Sequence, residues 1–416
     1  MSKLLDDDLK NIWHPFSPIA GEPPVVVTSA KGIYLYTEDG RKIIDGISSW
    51  WVNIHGHSHP SIAEAIYKQA KELEHVIFAG FTHPPAVELS KKLLSILPSN
   101  QSKIFFSDNG STAVEVALKM AIQYWHNRGT PKRKVIAIDG SYHGDTFGSM
   151  SVGERGLFTD PFSNHLFDAE FIPFPVDERA VDTFQQIVDK GDVFAFIYEP
   201  LVQGAAGMRM YPEQILSRLV DIARKSKVLC IADEVFTGFG RTGRLFASTM
   251  PDIMALSKGL TGGTMALGIT TCTSEIFNAF DSNELSKTFF HGHSFTANPI
   301  ACASANASFD LLMTKECQQR IIDISKAQAT FRDKLKGHPK LNDVRSTGTI
   351  LALEIKTDTV TSYGNSLKHE IYRFFMERSI LLRPLGNVIY FLPSYAFTDD
   401  ELSIVHNAIT GFLERR

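Results

Sequence analysis

The sequence predicts an α/β protein built on a mostly parallel sheet, and two patterns support this prediction. Near-continuous apolar runs recur in the middle of the chain, at residues 135–138, 193–198 and 228–232, with helical segments between them. Strands buried on both faces of a parallel sheet have this composition, because helices cover both faces. Each run also ends in glycines and polar side chains. Since ligands of open α/β sheets bind beyond the carboxyl ends of the strands, we expect the functional site at that edge.

Length and composition describe an ordinary globular protein. The chain has 416 residues, of which 44% are hydrophobic and 21% charged, and its net charge is −4. A chain of this length can form a large domain with an attached lobe. We expect a large domain over residues 60–300 and a small α+β domain formed by both chain ends, residues 1–59 and 301–416.

The charge distribution and the cysteines indicate which binding partners and which cellular location to expect. No long basic run is present, which argues against nucleic acid or an anionic membrane as a partner. The four cysteines form no CxxC pair, a pattern that fits a reducing compartment. The N-terminus is too acidic for a secretory signal, and no apolar run approaches the roughly 20 residues needed to span a bilayer. We therefore expect a soluble, cytoplasmic protein.

Periodicity and turn residues predict the elements around the sheet. The predicted elements, in chain order, are a hairpin at 32–45, helices at 61–73 and 85–97, a strand at 103–106, a helix at 112–125, a strand pair within 265–276, a helix at 300–313, strands at 350–355, a helix at 366–377, strands at 381–383 and 388–391, and a helix from 398. Two helices carry capping boxes, Ser61 with Glu64 and Thr112 with Glu115, which predict where they begin.

Two local clusters have competing interpretations. Trp50 and Trp51 are adjacent, and neighbouring residues on a strand face opposite ways, so at most one is expected in the core. The other is a candidate for a pocket wall or an interface, where indole is favoured. His55, His57 and His59 lie in a loop without a nearby acidic or cysteine ligand. This favours local hydrogen bonds over a metal site, and we expect no metal.

A candidate phosphate site follows the strand at 103–106. Gly110 and Ser111 lie in a short turn that leads into a helix. Free backbone N–H groups and the positive end of the helix dipole attract an anion at such a position. The alternative is an ordinary strand-to-helix turn, since a full phosphate-loop motif is absent.

Lys258 is the candidate nucleophile. It follows the apolar run 253–256 and precedes a glycine-rich turn. Desolvation lowers the pKa of a lysine and makes its amine able to form a Schiff base. The alternative is a lysine that extends from the strand end to solvent. Ser111, residues 142–145, Asp233 and Lys258 all follow predicted strands, so we expect them to share one crevice.

These strand ends together favour pyridoxal phosphate chemistry. That chemistry needs a lysine for the cofactor aldehyde, a carboxylate that keeps the pyridine nitrogen protonated, and amides and hydroxyls for the phosphate. Asp233 suits the pyridine nitrogen. The alternative for Asp233 is an ion pair with a basic side chain such as Arg241.

The same segments resemble a known family. The motifs are Ala-Asp-Glu at 232–234, Gly-Arg-Thr-Gly at 240–243, Ser-Lys-Gly at 257–259 and Thr-Gly-Gly at 261–263. They resemble the signature of the class III aminotransferases, which have the fold of type I pyridoxal phosphate enzymes, and the resemblance extends from about residue 11 to Arg383. Segments 13–15, 49–51, 142–148, 203–210 and 383–384 resemble the members that transfer the amino group of S-adenosylmethionine to 8-amino-7-oxononanoate in biotin synthesis.

The resemblance implies roles for individual residues. Lys258 would carry pyridoxal phosphate, Asp233 would hold its pyridine nitrogen, and Gly110 and Ser111 would bind its phosphate, with Tyr142 also at the cofactor. The positions that match substrate contacts are Phe16, Trp50, Tyr142, Lys258, Gly292 and Arg383. Arg383 would pair with the carboxylate of the keto-acid substrate, a task suited to the guanidinium fork.

The resemblance also implies a homodimer with shared active sites. In that family the loop that matches His293 and Ser294 reaches the cofactor phosphate of the other subunit. The family usually has threonine where Ser294 stands, and serine keeps the hydroxyl.

Phe16 departs from the family pattern. The family commonly has a tyrosine there, which stacks on the adenine of the donor and reaches the substrate with its hydroxyl. Phenylalanine keeps the stacking and loses the hydrogen bond. The alternative is therefore another class III ω-aminotransferase, with lysine, ornithine or 4-aminobutyrate as amino donor. A non-enzymatic binding protein or a metal hydrolase at His55, His57 and His59 is disfavoured.

Overall fold

The computed structural model describes residues 2–358 and 361–415. The strands are β1 (Val27–Lys31), β2 (Tyr34–Thr37), β3 (Lys42–Asp45), β4 (Gln101–Ser107), β5 (Lys134–Ile138), β6 (Glu170–Ile172), β7 (Val193–Tyr198), β8 (Val202–Gln203), β9 (Arg209–Met210), β10 (Leu229–Asp233), β11 (Ile253–Leu256), β12 (Gly268–Thr273), β13 (Leu341–Thr347), β14 (Ile350–Ile355), β15 (Ile380–Leu381) and β16 (Val388–Phe391).

The helices alternate with these strands. They are α1 (Lys3–Asn11), α2 (Ser48–Trp51), α3 (Pro60–Glu72), α4 (Pro84–Ile96), α5 (Gly110–Asn127), α6 (Phe147–Ser151), α7 (Glu178–Asp189), α8 (Glu213–Lys225), α9 (Ser274–Asn278), α10 (Pro299–Leu312), α11 (Lys315–Leu335), α12 (Leu367–Met376) and α13 (Asp399–Arg415), with short 3₁₀ turns at Asp160–His165, Lys258–Thr261 and Leu285–Lys287. None of these described helices is long and apolar enough to cross a membrane.

A seven-stranded sheet forms the centre of the molecule. Its order is β4-β12-β11-β10-β7-β5-β6. β12 is antiparallel to both of its neighbours, and the other pairs are parallel, so six strands run in one direction. The prediction of a mostly parallel sheet is confirmed. The carboxyl ends of β4, β5, β7, β10 and β11 consequently lie at the same edge.

Helices cover both faces of this sheet, as the apolar strands require. Every residue of β7, β10 and β11 is buried. Along β7, Phe196 and Tyr198 pack into one hydrophobic cluster, whereas Ala195 and Ile197 pack into a second cluster with α5. This alternation follows from the two-residue period of a strand.

The two ends of the chain meet in a second sheet. Its order is β1-β2-β3-β15, and β15 from the C-terminal part pairs in parallel with β3. A third sheet, β13-β14-β16, belongs wholly to the C-terminal part. These contacts agree with a lobe built from both chain ends, and the boundaries at residues 60 and 300 stay a prediction.

Arg241 links the central sheet to both chain ends. Its side chain is fully buried and donates hydrogen bonds to the carbonyl oxygens of Trp51, at 3.1 Å, and Pro393, at 2.8 Å. The alternative role for Asp233, an ion pair with Arg241, is wrong, because Arg241 uses its guanidinium for these carbonyls.

Most predicted elements are confirmed, and the errors are local. The strands at 350–355 and 388–391 have the predicted bounds. The predicted caps are wrong: α3 begins at Pro60 without a side-chain cap, and Asn109 caps α5, with Thr112 as its capping-box partner. Both start signals were therefore placed too late in the chain.

Two further elements differ in type. The expected strand pair within 265–276 is β12 followed by α9, because Thr273 accepts a hydrogen bond from the Ile276 N–H and caps a helix. Trp50 and Trp51 lie in the distorted α2 rather than in a strand. Their environments still differ as expected: Trp51 is buried and Trp50 is 40% exposed.

Replacing Arg241 by methionine tests the link between the lobes. Arg241→Met leaves two carbonyl groups without donors, and each unsatisfied group costs roughly 1–3 kcal/mol. We expect the thermal unfolding midpoint, followed by circular dichroism, to fall by several degrees. Arg244→Met is the matched control, because Arg244 forms an exposed ion pair with Glu213 that is worth less than about 1 kcal/mol. Equal midpoints for the two variants would contradict the role of Arg241.

Candidate active site

A cavity of about 480 Å³ lies at the carboxyl edge of the central sheet. Gly110, Ser111, Tyr142, Asp233 and Lys258 all line it. They follow β4, β5, β10 and β11, whose ends share this edge because the strands are parallel. The structure therefore brings these residues into one crevice, as the order of strands and polar turns predicted. The volume is in the range of roughly 300–1,000 Å³ that is usual for small-ligand sites.

Lys258 enters this cavity between aromatic rings. Its ammonium lies 4.5 Å from the ring centroid of Trp51 and 5.5 Å from that of Phe236. Burial lowers its pKa to about 8, although the carboxylates of Asp233 and Glu199 oppose this effect. At pH 7 roughly a tenth of the amine is therefore uncharged, far more than for an ordinary lysine, and the uncharged amine is the reactive form. The alternative of a solvent-extended lysine is wrong.

Asp233 and His143 form a buried pair on the floor of the cavity. The Asp233 Oδ2 atom lies 2.7 Å from the His143 Nδ1 atom, and its Oδ1 atom accepts a hydrogen bond from the Val235 N–H. Both side chains are almost fully buried. The His143 Nε2 atom has no hydrogen-bond partner among the described residues. The imidazole therefore fixes the orientation of the Asp233 carboxylate.

Glu199 supplies a second buried carboxyl group beside this pair. It accepts hydrogen bonds from the backbone N–H groups of Tyr142, at 3.0 Å, and Gly204, at 2.9 Å. Burial raises its pKa to about 7, and the nearby Asp233 acts in the same direction. Glu199 thus holds the turn after β5, which carries Tyr142, against the end of β7.

The first turn of α5 is a candidate anion site. Asn109 caps the helix by accepting a hydrogen bond from the Thr112 N–H, and the first backbone N–H groups of a helix have no acceptor within it. Those of Gly110 and Ser111 therefore remain for a ligand. A Cβ atom at Gly110 would lie 2.7 Å from Val235, so only glycine allows this approach to the loop after Asp233.

A narrower pocket of about 270 Å³ opens from Lys258 towards the surface. Its wall includes Phe16, Trp50, Tyr142 and Arg383. The Phe16 and Trp50 rings meet edge to face at 5.4 Å, and the Arg383 guanidinium lies 4.8 Å from the Trp50 centroid. The pocket therefore combines an apolar aromatic wall with one fixed cation. Every predicted substrate position except Gly292 lies here.

The loop with Gly292, His293 and Ser294 lies apart from both cavities. None of the three residues lines them, and Gly292 and Ser294 are exposed. The Lys119 ammonium contacts this loop at the carbonyl oxygen of Phe290, at 3.3 Å, and at the His291 Nδ1 atom, at 3.0 Å. A single subunit thus leaves these predicted cofactor and substrate positions away from Lys258.

The histidine-rich loop makes local hydrogen bonds. The His55 Nε2 atom lies 3.0 Å from the carbonyl oxygen of Ser308, and the His57 Nε2 atom lies 2.8 Å from Asp45. Burial lowers the pKa of His55 to about 4. No group of three potential metal ligands occurs in residues 2–358 and 361–415.

Comparisons with known proteins show to which family the chain belongs. The family model described as "Aminotransferase class-III" matches residues 17–413. The chain belongs to the class III aminotransferases. Its relatives include a protein of Synechococcus elongatus named adenosylmethionine-8-amino-7-oxononanoate aminotransferase. The two sequences are 48% identical, over 97% of this chain and 98% of the relative.

Solved structures confirm the fold of type I pyridoxal phosphate enzymes. A crystal structure of adenosylmethionine-8-amino-7-oxononanoate aminotransferase from Methanocaldococcus jannaschii matches with a TM-score of 0.95 at 34% identity. The match covers 99% of this chain and 98% of the Methanocaldococcus jannaschii chain. An omega transaminase from Pseudomonas jessenii in complex with PMP matches with a TM-score of 0.93 at 25% identity, over 100% of this chain and 98% of its own.

Sequence reasoning missed several residues of this class III site. The sequence indicates only that Glu199 and His143 follow predicted strands. It does not show which carboxylate a histidine will face. The ring of Trp51 contacts the candidate lysine, and its Nε1–H donates to the Tyr390 hydroxyl at 3.0 Å. The Glu-Pro dipeptide after β7 was the available signal for Glu199, since a carboxylate directly after a buried strand needs donors.

The lowered pKa of Lys258 can be measured directly. In protein freed of bound aldehyde with hydroxylamine, we expect acylation of Lys258 by acetic anhydride to reach half its maximal rate near pH 8, below the ordinary pKa of 10.5. Mass spectrometry of the Lys258 peptide gives the rate at each pH. In Asp233→Asn the midpoint falls further, because a carboxylate that favours the ammonium is removed. The urea-unfolded protein is the control, and equal midpoints in folded and unfolded protein would contradict the burial effect.

Proposed function

We propose that the protein transfers the amino group of S-adenosylmethionine to 8-amino-7-oxononanoate and so forms 7,8-diaminononanoate for biotin synthesis. The carrying observation is the buried amine of Lys258, with its lowered pKa, in one cavity with Asp233 and the N-terminus of α5. The names and the full-length similarity of the relatives from Synechococcus elongatus and Methanocaldococcus jannaschii support this substrate pair.

The residues of the cavity fit pyridoxal 5'-phosphate as the cofactor. Lys258 would hold the cofactor aldehyde, Asp233 the pyridine nitrogen, and Gly110 and Ser111 the phosphate. Tyr142 would cover the ring. The fit is supported by the unfilled hydrogen-bonding capacity of the α5 N-terminus and by the carboxylate that His143 orients. When bound, pyridoxal phosphate supplies a conjugated ring that withdraws electrons from the carbon bearing the amino group.

Lys258 would accept and return the proton of the reaction, and Asp233 would keep the pyridine nitrogen of the cofactor protonated. Because burial lowers the pKa of Lys258 to about 8, its amine can accept a proton and return it under the same conditions, the match that general acid–base catalysis needs. Asp233 stays in place because His143 and the Val235 N–H bind its two oxygen atoms. Aromatic rings of Trp51 and Phe236 exclude water around the amine.

The narrow pocket would hold each substrate beside Lys258, with the reacting group towards the Lys258 amine. Arg383 would pair with a carboxylate, and Trp50 keeps the guanidinium above its ring at 4.8 Å. The aromatic wall of Phe16 and Trp50 suits the aliphatic chain of 8-amino-7-oxononanoate. Burial and the neighbouring Asp145 carboxylate raise the pKa of Tyr142, so its hydroxyl remains a proton donor.

The complete site would require a homodimer. In the single subunit, His293 and Ser294 do not reach the cavity, and the buried Nε2 atom of His293 has no partner among the described residues. In the proposed dimer these residues, with Gly292, would complete the phosphate and substrate sites of the other subunit.

A second candidate is a class III ω-aminotransferase with lysine, ornithine or 4-aminobutyrate as donor. Phe16 favours it, because this ring offers no hydroxyl to a nucleoside. The similarity to the omega transaminase of Pseudomonas jessenii, with a TM-score of 0.93, supports this candidate.

A donor assay separates these candidates. The purified holoenzyme is mixed with 8-amino-7-oxononanoate and either S-adenosylmethionine or lysine, and mass spectrometry measures 7,8-diaminononanoate. We expect product with S-adenosylmethionine. Lysine as the only effective donor would favour the second candidate, and no product with either donor would contradict the biotin assignment. Lys258→Ala is the control, because it removes both the activity and the absorbance above about 400 nm of the lysine-bound cofactor.

Phe16→Tyr tests the donor side of the pocket. The added hydroxyl offers a hydrogen bond to the donor, and such a bond contributes roughly 0.5–1.5 kcal/mol. We expect the KM for the donor to change more than the KM for 8-amino-7-oxononanoate in steady-state assays. Equal changes in both KM values would contradict a donor-contacting position for Phe16.

A further inference from the structure

Phe158 and Tyr363 lie where three cavities meet. Both residues line the inner pocket of about 270 Å³ that contains Lys258, a side cavity of about 540 Å³, and an outer groove of about 630 Å³. A part of a substrate that extends out of the inner pocket into either larger space would therefore lie beside these two rings.

The inner pocket is too small for the whole proposed donor. Sites for ligands of this size have volumes of roughly 300–1,000 Å³, and S-adenosylmethionine joins an amino acid to a complete nucleoside. Its amino and carboxylate groups would occupy the space between Lys258 and Arg383. The nucleoside would then lie at the outer end, beside Phe158 and Tyr363.

The rings at this outer end form a continuous aromatic wall. Phe16 contacts Phe158 at 6.0 Å between centroids, and Phe158 contacts Tyr363 at 4.9 Å, both edge to face. The Lys368 ammonium lies 5.0 Å from the Tyr363 centroid. Aromatic faces stack on a nucleobase with little dependence on its identity.

Tyr363 also contributes a hydroxyl group to this aromatic wall. No described residue forms a hydrogen bond with it, and Tyr363 is only partly buried. Its phenol is near enough to the wall of the inner pocket to help raise the pKa of Tyr390, an effect due first to the burial of Tyr390. The hydroxyl is thus available to a polar group in the pocket.

The loop of Tyr363 is fixed to the segment that carries Arg383. Gly386 lies so close to this loop that a Cβ atom there would overlap the carbonyl oxygen of Ser362. The Asn387 amide donates to the Thr361 hydroxyl at 3.0 Å and to the Ile355 carbonyl oxygen at 2.8 Å. These contacts hold Tyr363 in a constant position relative to Arg383.

We propose that Tyr363 is a specificity-determining residue for the amino donor, whose ring stacks on the nucleobase and whose hydroxyl bonds the nucleoside. This inference rests on the proposed function, since it takes S-adenosylmethionine as the donor. The acceptor, 8-amino-7-oxononanoate, has no nucleoside and does not use the hydroxyl.

Two substitutions test the hydroxyl group and the aromatic ring of Tyr363 separately. In Tyr363→Phe holoenzyme, loss of one hydrogen bond raises the donor KM roughly three- to tenfold and leaves the acceptor KM within about twofold. In Tyr363→Leu, loss of stacking raises the donor KM further, by tens of fold. The control is Tyr67→Phe, since Tyr67 lies on α3 and is 59% exposed. Circular dichroism melts check that each variant folds.

The possible outcomes are distinguishable. A donor-selective rise in KM for Tyr363→Phe, absent in Tyr67→Phe, supports the inference. An unchanged donor KM, or a larger effect on the acceptor KM, overturns it while the proposed function stands. A wild-type protein that is inactive with S-adenosylmethionine overturns the proposed function and this inference with it.

Discussion

The burial of an amine beside a carboxylate is the constraint on which the site depends. Lys258 is surrounded by Trp51 and Phe236, and this desolvation favours its uncharged form. Asp233 works against the effect, so the pKa stops near 8 rather than falling further. Without its burial, or without Asp233, the pKa of Lys258 would leave the range in which the amine can both accept and return a proton. The parallel sheet produces this balance because its strand ends deliver both groups to one edge.

Buried polar groups around that pair keep it in a single geometry. His143 binds Asp233, and Glu199 binds the backbone of the turn that carries Tyr142. Each of these side chains would be costly in the interior without its partner. Arg241 adds a mechanical link, since it joins the central sheet to carbonyl groups of both chain ends. The catalytic edge and the outer lobe are therefore held together by polar contacts.

Much of the fold was predictable because parallel strands and amphipathic helices leave strong local patterns. The strands at 350–355 and 388–391 have the predicted bounds. The error at Thr112 arose because several polar residues near a helix start can serve as a cap, and only the backbone conformation selects one. At Ser61 the prediction failed because α3 begins at Pro60 with no side-chain cap. The positions of Lys258 and Asp233 were predictable because each lies at the carboxyl end of a buried strand. His143 facing Asp233 was not, because 90 residues separate them.

The sequence by itself determined the sheet type, the candidate lysine and carboxylate, and the candidate anion site at α5, because each depends on residues close together in the chain. It also carried motifs that predicted the family, and the family model and the relatives confirm that family. Only the tertiary structure decided what surrounds Lys258, which carbonyl groups Arg241 binds, and that Phe158 and Tyr363 meet beside Phe16. Most of those contacts join segments separated by more than a hundred residues, and no local pattern encodes which distant side chains the folded chain brings together.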